Sequence, residues 1–122
     1  MTADQLERKR QSVKKGRRAE IIAALYLRLK GYRILARQIR NHYGEIDILA
    51  RKGKTLIAVE VKFRPTLDAG LQAVGRVQQE RISRALNAIA AKEKAYHQLD
   101  QRRDVVVVQN FISRPIHVKN AW

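Results

Sequence analysis

Two acidic residues stand where the surrounding sequence is apolar. Asp47 lies between Ile46 and Ile48, and Glu60 lies between Val59 and Val61, with Lys62 two residues further on. A carboxylate in such company is unfavourable unless a cation compensates it. In an extended strand alternate residues share a face, so Glu60 and Lys62 stand side by side. Two carboxylates and a lysine are the parts for metal-assisted hydrolysis of a phosphodiester. Asp47 and Glu60 would hold Mg²⁺ or Mn²⁺, hard cations that take oxygen ligands. Such a cation polarises a phosphoryl oxygen and lowers the pKa of a bound water. Lys62 would orient that water or stabilise charge developing on phosphorus. The plainer alternative is structural: Glu60 paired with Lys62, and Asp47 with an Arg of a neighbouring strand.

The elements that must position these residues can be read in order. Residues 5–30 form a helix, with Ile22, Leu25 and Leu29 as an apolar stripe widened by Ala19, Ala23, Ala24 and Leu27, and Gly31 as its stop. Residues 32–39, 45–50 and 56–63 have strand character. Pro65 ends the third, and 64–72 reads as a mobile loop. A long helix over 73–98 would turn Val74, Val77, Ile82, Ala85, Leu86 and Ile89 inward. The four consecutive valines of 104–109 suit a strand buried on both faces, and 111–118 reads as an edge strand containing Pro115. The fold class is therefore α/β in the order α-β-β-β-α-β-(β). A two-residue turn at Lys52-Gly53 would set Asp47 opposite Ala58 and Glu45 opposite Glu60. Glu45, Asp47, Glu60 and Lys62 would then share one face; a three-residue turn would flip one strand.

Composition narrows the partner. The 122 residues carry 26 Lys and Arg against 11 Asp and Glu, a formal charge of +15. The first twenty residues supply +4 and the remainder +11. Residues 1–14 read as a basic extension of the first helix and 15–122 as one domain. Zero cysteines exclude disulfides, thiolate zinc sites and cysteine nucleophiles. No apolar run or leader-like start argues for a membrane, so the expected location is cytoplasmic. The charge suits a polyanion, most simply nucleic acid. Aromatic residues are sparse, which favours reading of a phosphate backbone over stacking on bases. Arg37, Arg40, Arg64, Arg76, Arg81 and Arg84 are the candidate phosphate contacts, though solvated surface charge explains any one of them. His42, His97 and His117 lack metal-site spacing and read as surface or structural residues. Asp104 reads as structural, paired with Arg103 or another basic side chain.

The run Gly44-Glu45-Ile46-Asp47-Ile48-Leu49-Ala50, followed by Val59-Glu60-Val61-Lys62-Phe63-Arg64, resembles the YraN-like family of small bacterial proteins. The likeness extends from about Lys15 to Val118 and includes Gly16, Ala19-Glu20, Gly31-Tyr32 and Arg103-Asp104-Val105. That family is similar to the restriction-endonuclease-like superfamily, especially archaeal Holliday junction resolvases. The resemblance implies a mixed β-sheet flanked by helices, with Asp47 and Glu60 as Mg²⁺ ligands and Lys62 as the catalytic lysine. It also implies that Glu20 joins the metal site; the residue chemistry alone equally suits a surface acid paired with Arg17 or Lys14. Glu45 belongs to the motif, beside the ligands or on a second metal. Gln78-Gln79 stands where the family usually carries Lys-Gln, a departure that bears on phosphate contact.

The expected function is thus a metal-dependent endonuclease or nuclease-like DNA-processing protein, with branched DNA as a substrate by analogy and a homodimer as a reasonable assembly. Two rivals stand beside it. One is a nucleic-acid-binding protein of nuclease fold without turnover. The other is a module whose basic face docks on an acidic protein.

Overall fold

Helix α1 (Ala3–Leu29) opens a chain whose residues 1–122 are all described by a computed structural model. It is followed by β1 (Arg33–Arg40), β2 (Glu45–Lys52), β3 (Thr55–Phe63), α2 (Leu67–Gln72), α3 (Arg76–Lys92), β4 (Asp100–Val108) and β5 (Ile116–Val118). The strands form one mixed sheet in the order β1-β2-β3-β4-β5. Only β3 and β4 run parallel, and α2 and α3 make the crossover between them. The α/β class expected from the sequence is the class observed. No helix is long and apolar enough to cross a membrane.

Each face of the sheet carries its own core. On one face Ala19, Ala23, Ala24 and Leu27 of α1 pack on Ile48, Ala50, Ile57, Val59, Val106 and Val108. On the other, Ile82, Ala85 and Leu86 of α3 pack on Ile46, Leu49, Leu56, Ala58, Val105 and Val107. The valine run of β4 alternates between the two, as a strand buried on both sides must. Leu25 and Leu29 of the expected stripe are exposed, and Leu27 makes the α1 contact together with the three alanines expected to widen it. The small alanine side chains let the helix lie close to the sheet.

The segment read as a mobile loop contains α2. Thr66 caps it by accepting from Ala69 N–H (3.1 Å). A Cβ on Gly70 would stand 2.4 Å from a Val107 methyl, so glycine is what permits this close approach. The following helix is shorter than the expected 73–98. It starts after Gly75, ends at Lys92, and leaves Val77 exposed. The last strand is also shorter than 111–118.

The C-terminal segment is tied down by a buried acid. Asp104, fully buried, accepts two bonds from Arg102 (2.9 Å each), one from His117 Nε2 (2.8 Å) and one from Asn120 N–H (2.9 Å). A carboxylate only accepts, so His117 Nε2 carries the proton and Nδ1 accepts from Lys30 Nζ (2.7 Å). Arg102 also donates to the Tyr32 hydroxyl (2.8 Å). The structural role expected of Asp104 and His117 is what the structure gives them, but the partner is Arg102 and not Arg103. Burial pushes the Asp104 pKa up, and the bonds from His117, Arg102 and Asn120 together outweigh it and hold it below the ordinary value. Its contribution is therefore present at neutral pH and lost as pH falls through that lowered value. Asp104→Ala should lower the unfolding free energy by about 3–5 kcal/mol, because it leaves Arg102 and His117 without their acceptor. Urea denaturation followed by far-UV circular dichroism measures this.

Candidate functional site

The β2–β3 hairpin decides which acids meet. Lys52 is opposite Thr55 and Ile48 is opposite Val59, so the turn is Gly53-Lys54. The expected turn lay one residue earlier. Gly53 has φ +58°, and a tight hairpin of this kind needs glycine at its first central position. The correction moves the register by two residues, which preserves the faces and changes the partners. Asp47 now faces Glu60, and the expected pairings Asp47–Ala58 and Glu45–Glu60 do not occur.

Regular pairing ends at Ile48–Val59, and carboxylates take over beyond it. Val61 N–H donates to Asp47 Oδ2 (2.9 Å), and Asp47 N–H donates to Glu60 Oε1 (3.4 Å). The two acids thus fill the fork between strands by accepting from backbone groups the ladder has left unpaired. A second irregularity falls at the same place. Ile46 and Ile48 join opposite cores, although alternate residues of a regular strand share a face. On β1, Gln38 lies between the partners of these two residues and has φ +51°.

This break separates the three acids expected on one face. Glu45, beyond it, is bonded to Arg40 (3.1 Å). Asp47, Glu60 and Lys62 line one hollow of about 610 Å³ together with Glu20, Arg17, Arg37 and Gln78. Glu20 is buried but engaged: Arg37 Nε lies 3.4 Å from it and Gln38 Nε2 donates to its other oxygen. Neither Arg17 nor Lys14 forms its ion pair. Glu60, only 2% exposed, accepts from Gln78 Nε2 (3.1 Å). Neither Asp47 nor Glu60 has a Lys, Arg or His nitrogen within ion-pair distance, so the structural pairings Glu60–Lys62 and Asp47–Arg do not form.

The other expected basic contacts are dispersed. Arg64 lies in the adjoining hollow beside Lys62. Arg81 is near the Glu45 end, Arg84 lines a different surface of α3, and Arg76 is exposed at the start of that helix. Gln78 and Gln38 are the site residues that sequence reasoning missed as contacts. The departure at Gln78-Gln79 was the available signal for the first, and nothing marked the second.

The electrostatics of the pair are those of enclosed acids without a cationic partner. Burial raises the Asp47 pKa, Glu20 and Glu45 add to that, and the Val61 N–H and the Lys62 charge oppose it. Burial and the neighbouring Asp47 push Glu60 up to about 8. No group of three or more His, Asp or Glu side chains converges on a common point. What the hollow offers is a two-carboxylate, oxygen-only donor set. That suits a cation such as Mg²⁺, which is bound through one or two carboxylates and keeps its remaining positions for water and phosphate oxygens.

The comparisons with known proteins agree in one family. Residues 19–108 match the model described as uncharacterised protein family UPF0102. A UPF0102 protein of Chelativorans sp. (strain BNC1) is 41% identical over 116 residues, covering 93% of this chain and 91% of its own. One from Caulobacter vibrioides (strain NA1000 / CB15N) is 45% identical over 109 residues, covering 89% and 86%. One from Parvibaculum lavamentivorans is 42% identical over 109 residues, covering 88% and 80%.

The raised Glu60 pKa fixes the sign of a pH effect. Between the ordinary glutamate value and about 8, the folded protein holds a proton that the unfolded chain has released. Stability therefore falls as pH rises through this window, by an amount on the order of a few kcal/mol. In buffer with a chelator, the urea midpoint should decline from pH 5 to pH 8. Glu60→Gln should flatten that decline and exceed the native chain in stability at pH 8. A midpoint that stays level in the native chain would remove the case for an uncompensated acid at Glu60.

Proposed function

The chain belongs to the uncharacterised protein family UPF0102, and we propose that it is a Mg²⁺- or Mn²⁺-dependent endonuclease that hydrolyses phosphodiester bonds. The observation that carries this reading is the fork itself: a buried and a half-buried carboxylate side by side with no cationic partner, sharing an open hollow with a lysine. Structural acids elsewhere in the same chain are compensated, as Asp104 and Glu45 are. An uncompensated pair at a solvent-accessible hollow is a candidate for function.

Each residue has a definable task. Asp47 and Glu60 would hold the cation, the first oriented by Val61 N–H and the second by Gln78. Bound there, the cation supplies Lewis-acid polarisation of the phosphoryl group and a water of lowered pKa. Lys62 supplies positive charge where negative charge grows on phosphorus. Arg17, on the wall of the hollow, is placed to contact a flanking phosphate. Glu20 acts through Arg37 and Gln38, which it holds at the rim.

The likeness of the Asp47…Glu60-x-Lys62 pattern to restriction-endonuclease-like enzymes and Holliday junction resolvases makes branched DNA the first substrate to try. Two symmetric cuts would call for two copies of the chain. Purified protein should cleave at least one of linear, single-stranded or branched DNA in Mg²⁺ or Mn²⁺, and chelation should stop it. Asp47→Ala and Glu60→Ala should each reduce the rate by about 100-fold or more, and Lys62→Ala by about 100-fold. Mn²⁺ titrated by calorimetry should bind the native chain and not the Asp47→Ala variant. Retardation of DNA with no cleavage of any substrate would instead support the reading of a binding protein without turnover.

A further inference from the structure

The hollow at the acid pair is not isolated. A larger one, of about 750 Å³, lies against the end of β3 and is walled on its other side by the first half of α1. The two share Gly16, Val61 and Lys62, so they form one groove that passes beneath the helix where it crosses β3. Beyond Lys62 the groove is lined by Arg64 from the strand and by Lys15 and Arg8 from the helix. None of these cations is in an ion pair with a carboxylate.

The half of α1 that makes this wall belongs to neither core. Every residue from Met1 to Arg18 is exposed, and burial begins at Ala19. The helix's first half is held by local means: the reciprocal bonds of Thr2 and Gln5 (3.1 and 2.8 Å) and the Gln11–Glu7 bond (3.1 Å). An isolated helix of this length is marginal in water. On this half Arg8, Lys9, Arg10, Lys14, Lys15 and Arg17 outnumber Asp4 and Glu7, and the excess positive charge is self-repelling, which a polyanion beside the helix would relieve.

We infer that the projecting half of α1 is a backbone clamp, which holds one strand of the nucleic acid as it leaves the acid pair and runs past Lys62 and Arg64 to Lys15 and Arg8. The inference rests on the reading of the acid pair as the hydrolytic site and adds the path of the strand. Lys15 and Arg8 are seven residues apart, about 10 Å along the helix axis, which spans roughly three nucleotides of a strand rising about 3.4 Å per phosphate. Asp4 and Glu7 line the far end of the groove, and Asp4, in the first turn, stabilises the helix N-terminus. They set the outer limit of the contact at Arg8.

Binding can be measured apart from cleavage. Asp47→Asn protein, without divalent cation, is titrated against a fluorescein-labelled single-stranded oligonucleotide over a range of salt. Adding Arg8→Ala and Lys15→Ala together should lower the steepness of log affinity against log salt by about 1.4, the loss of two contacts at about 0.7 each. Adding Lys14→Ala and Arg28→Ala, which remove the same charge from the same helix outside the groove, should change it by less than half as much. Circular dichroism checks that both variants keep their helix. The clamp is overturned if the first pair leaves the slope unchanged, if both pairs lower it equally, or if no oligonucleotide binds at low salt. Native protein that cleaves nothing while the slope falls as expected would sink the hydrolytic reading alone. Cleavage with an unmoved slope would sink the clamp alone.

Discussion

The fold is organised around two carboxylates that occupy the place where β2 and β3 part. Asp47 and Glu60 accept from Val61 and Asp47 N–H groups that continued strand pairing would have satisfied. Everything near them is arranged to make that substitution possible. Gly53 sets the hairpin register that brings the two acids opposite each other. The left-handed Gln38 and the changed alternation of β2 open the adjoining strand. From one layer α1 brings Glu20, and from the other α3 brings Gln78, so both helical layers reach the same fork.

The same chain solves the burial of an acid in two opposite ways. Asp104 is surrounded by donors, and its pKa is held down despite complete burial. Glu60 is nearly as enclosed and Asp47 is half-buried, neither meets a cation, and their pKa values rise. A chain able to build the first arrangement at β4 had the arginines to build it at β3 as well. Leaving the second pair without a cation costs stability at neutral pH, and such a cost is commonly retained where a site must accept a ligand.

Much of this was legible from residue types and little of it from spacing alone. The valines of β4 announced a strand buried on both faces, and the acids flanked by isoleucine and valine announced the fork. The stripe on α1 misled because Leu25 and Leu29 outweigh alanine on any hydropathy scale, whereas the helix packs through Leu27 and three alanines. The register slipped by two because Lys52-Gly53 and Gly53-Lys54 are both two-residue turns; only the backbone angle of Gly53 separates them. Face parity survived that slip, but the inclusion of Glu45 did not, since no pattern in 45–50 signals a change of alternation at Asp47. Partners of Glu20 were missed because Arg37 and Gln38 lie on an edge strand far along the chain.

The charge imbalance acquires a different meaning once ion pairs are located. Of the 26 Lys and Arg, only Arg37, Arg40 and Arg102 sit in ion pairs with acids. The positive surface is thus almost wholly uncompensated, while the strongest concentration of negative charge lies inside one hollow. A polyanion drawn in by the first would be repelled by the second unless something neutralised Asp47 and Glu60. A shared proton does this only up to the raised pKa of Glu60, and it leaves no electrophile behind. A divalent cation neutralises both acids and offers its free positions to phosphate oxygens. On the proposed reading, the same ion that relieves the strain of burial is the one that lets the substrate approach.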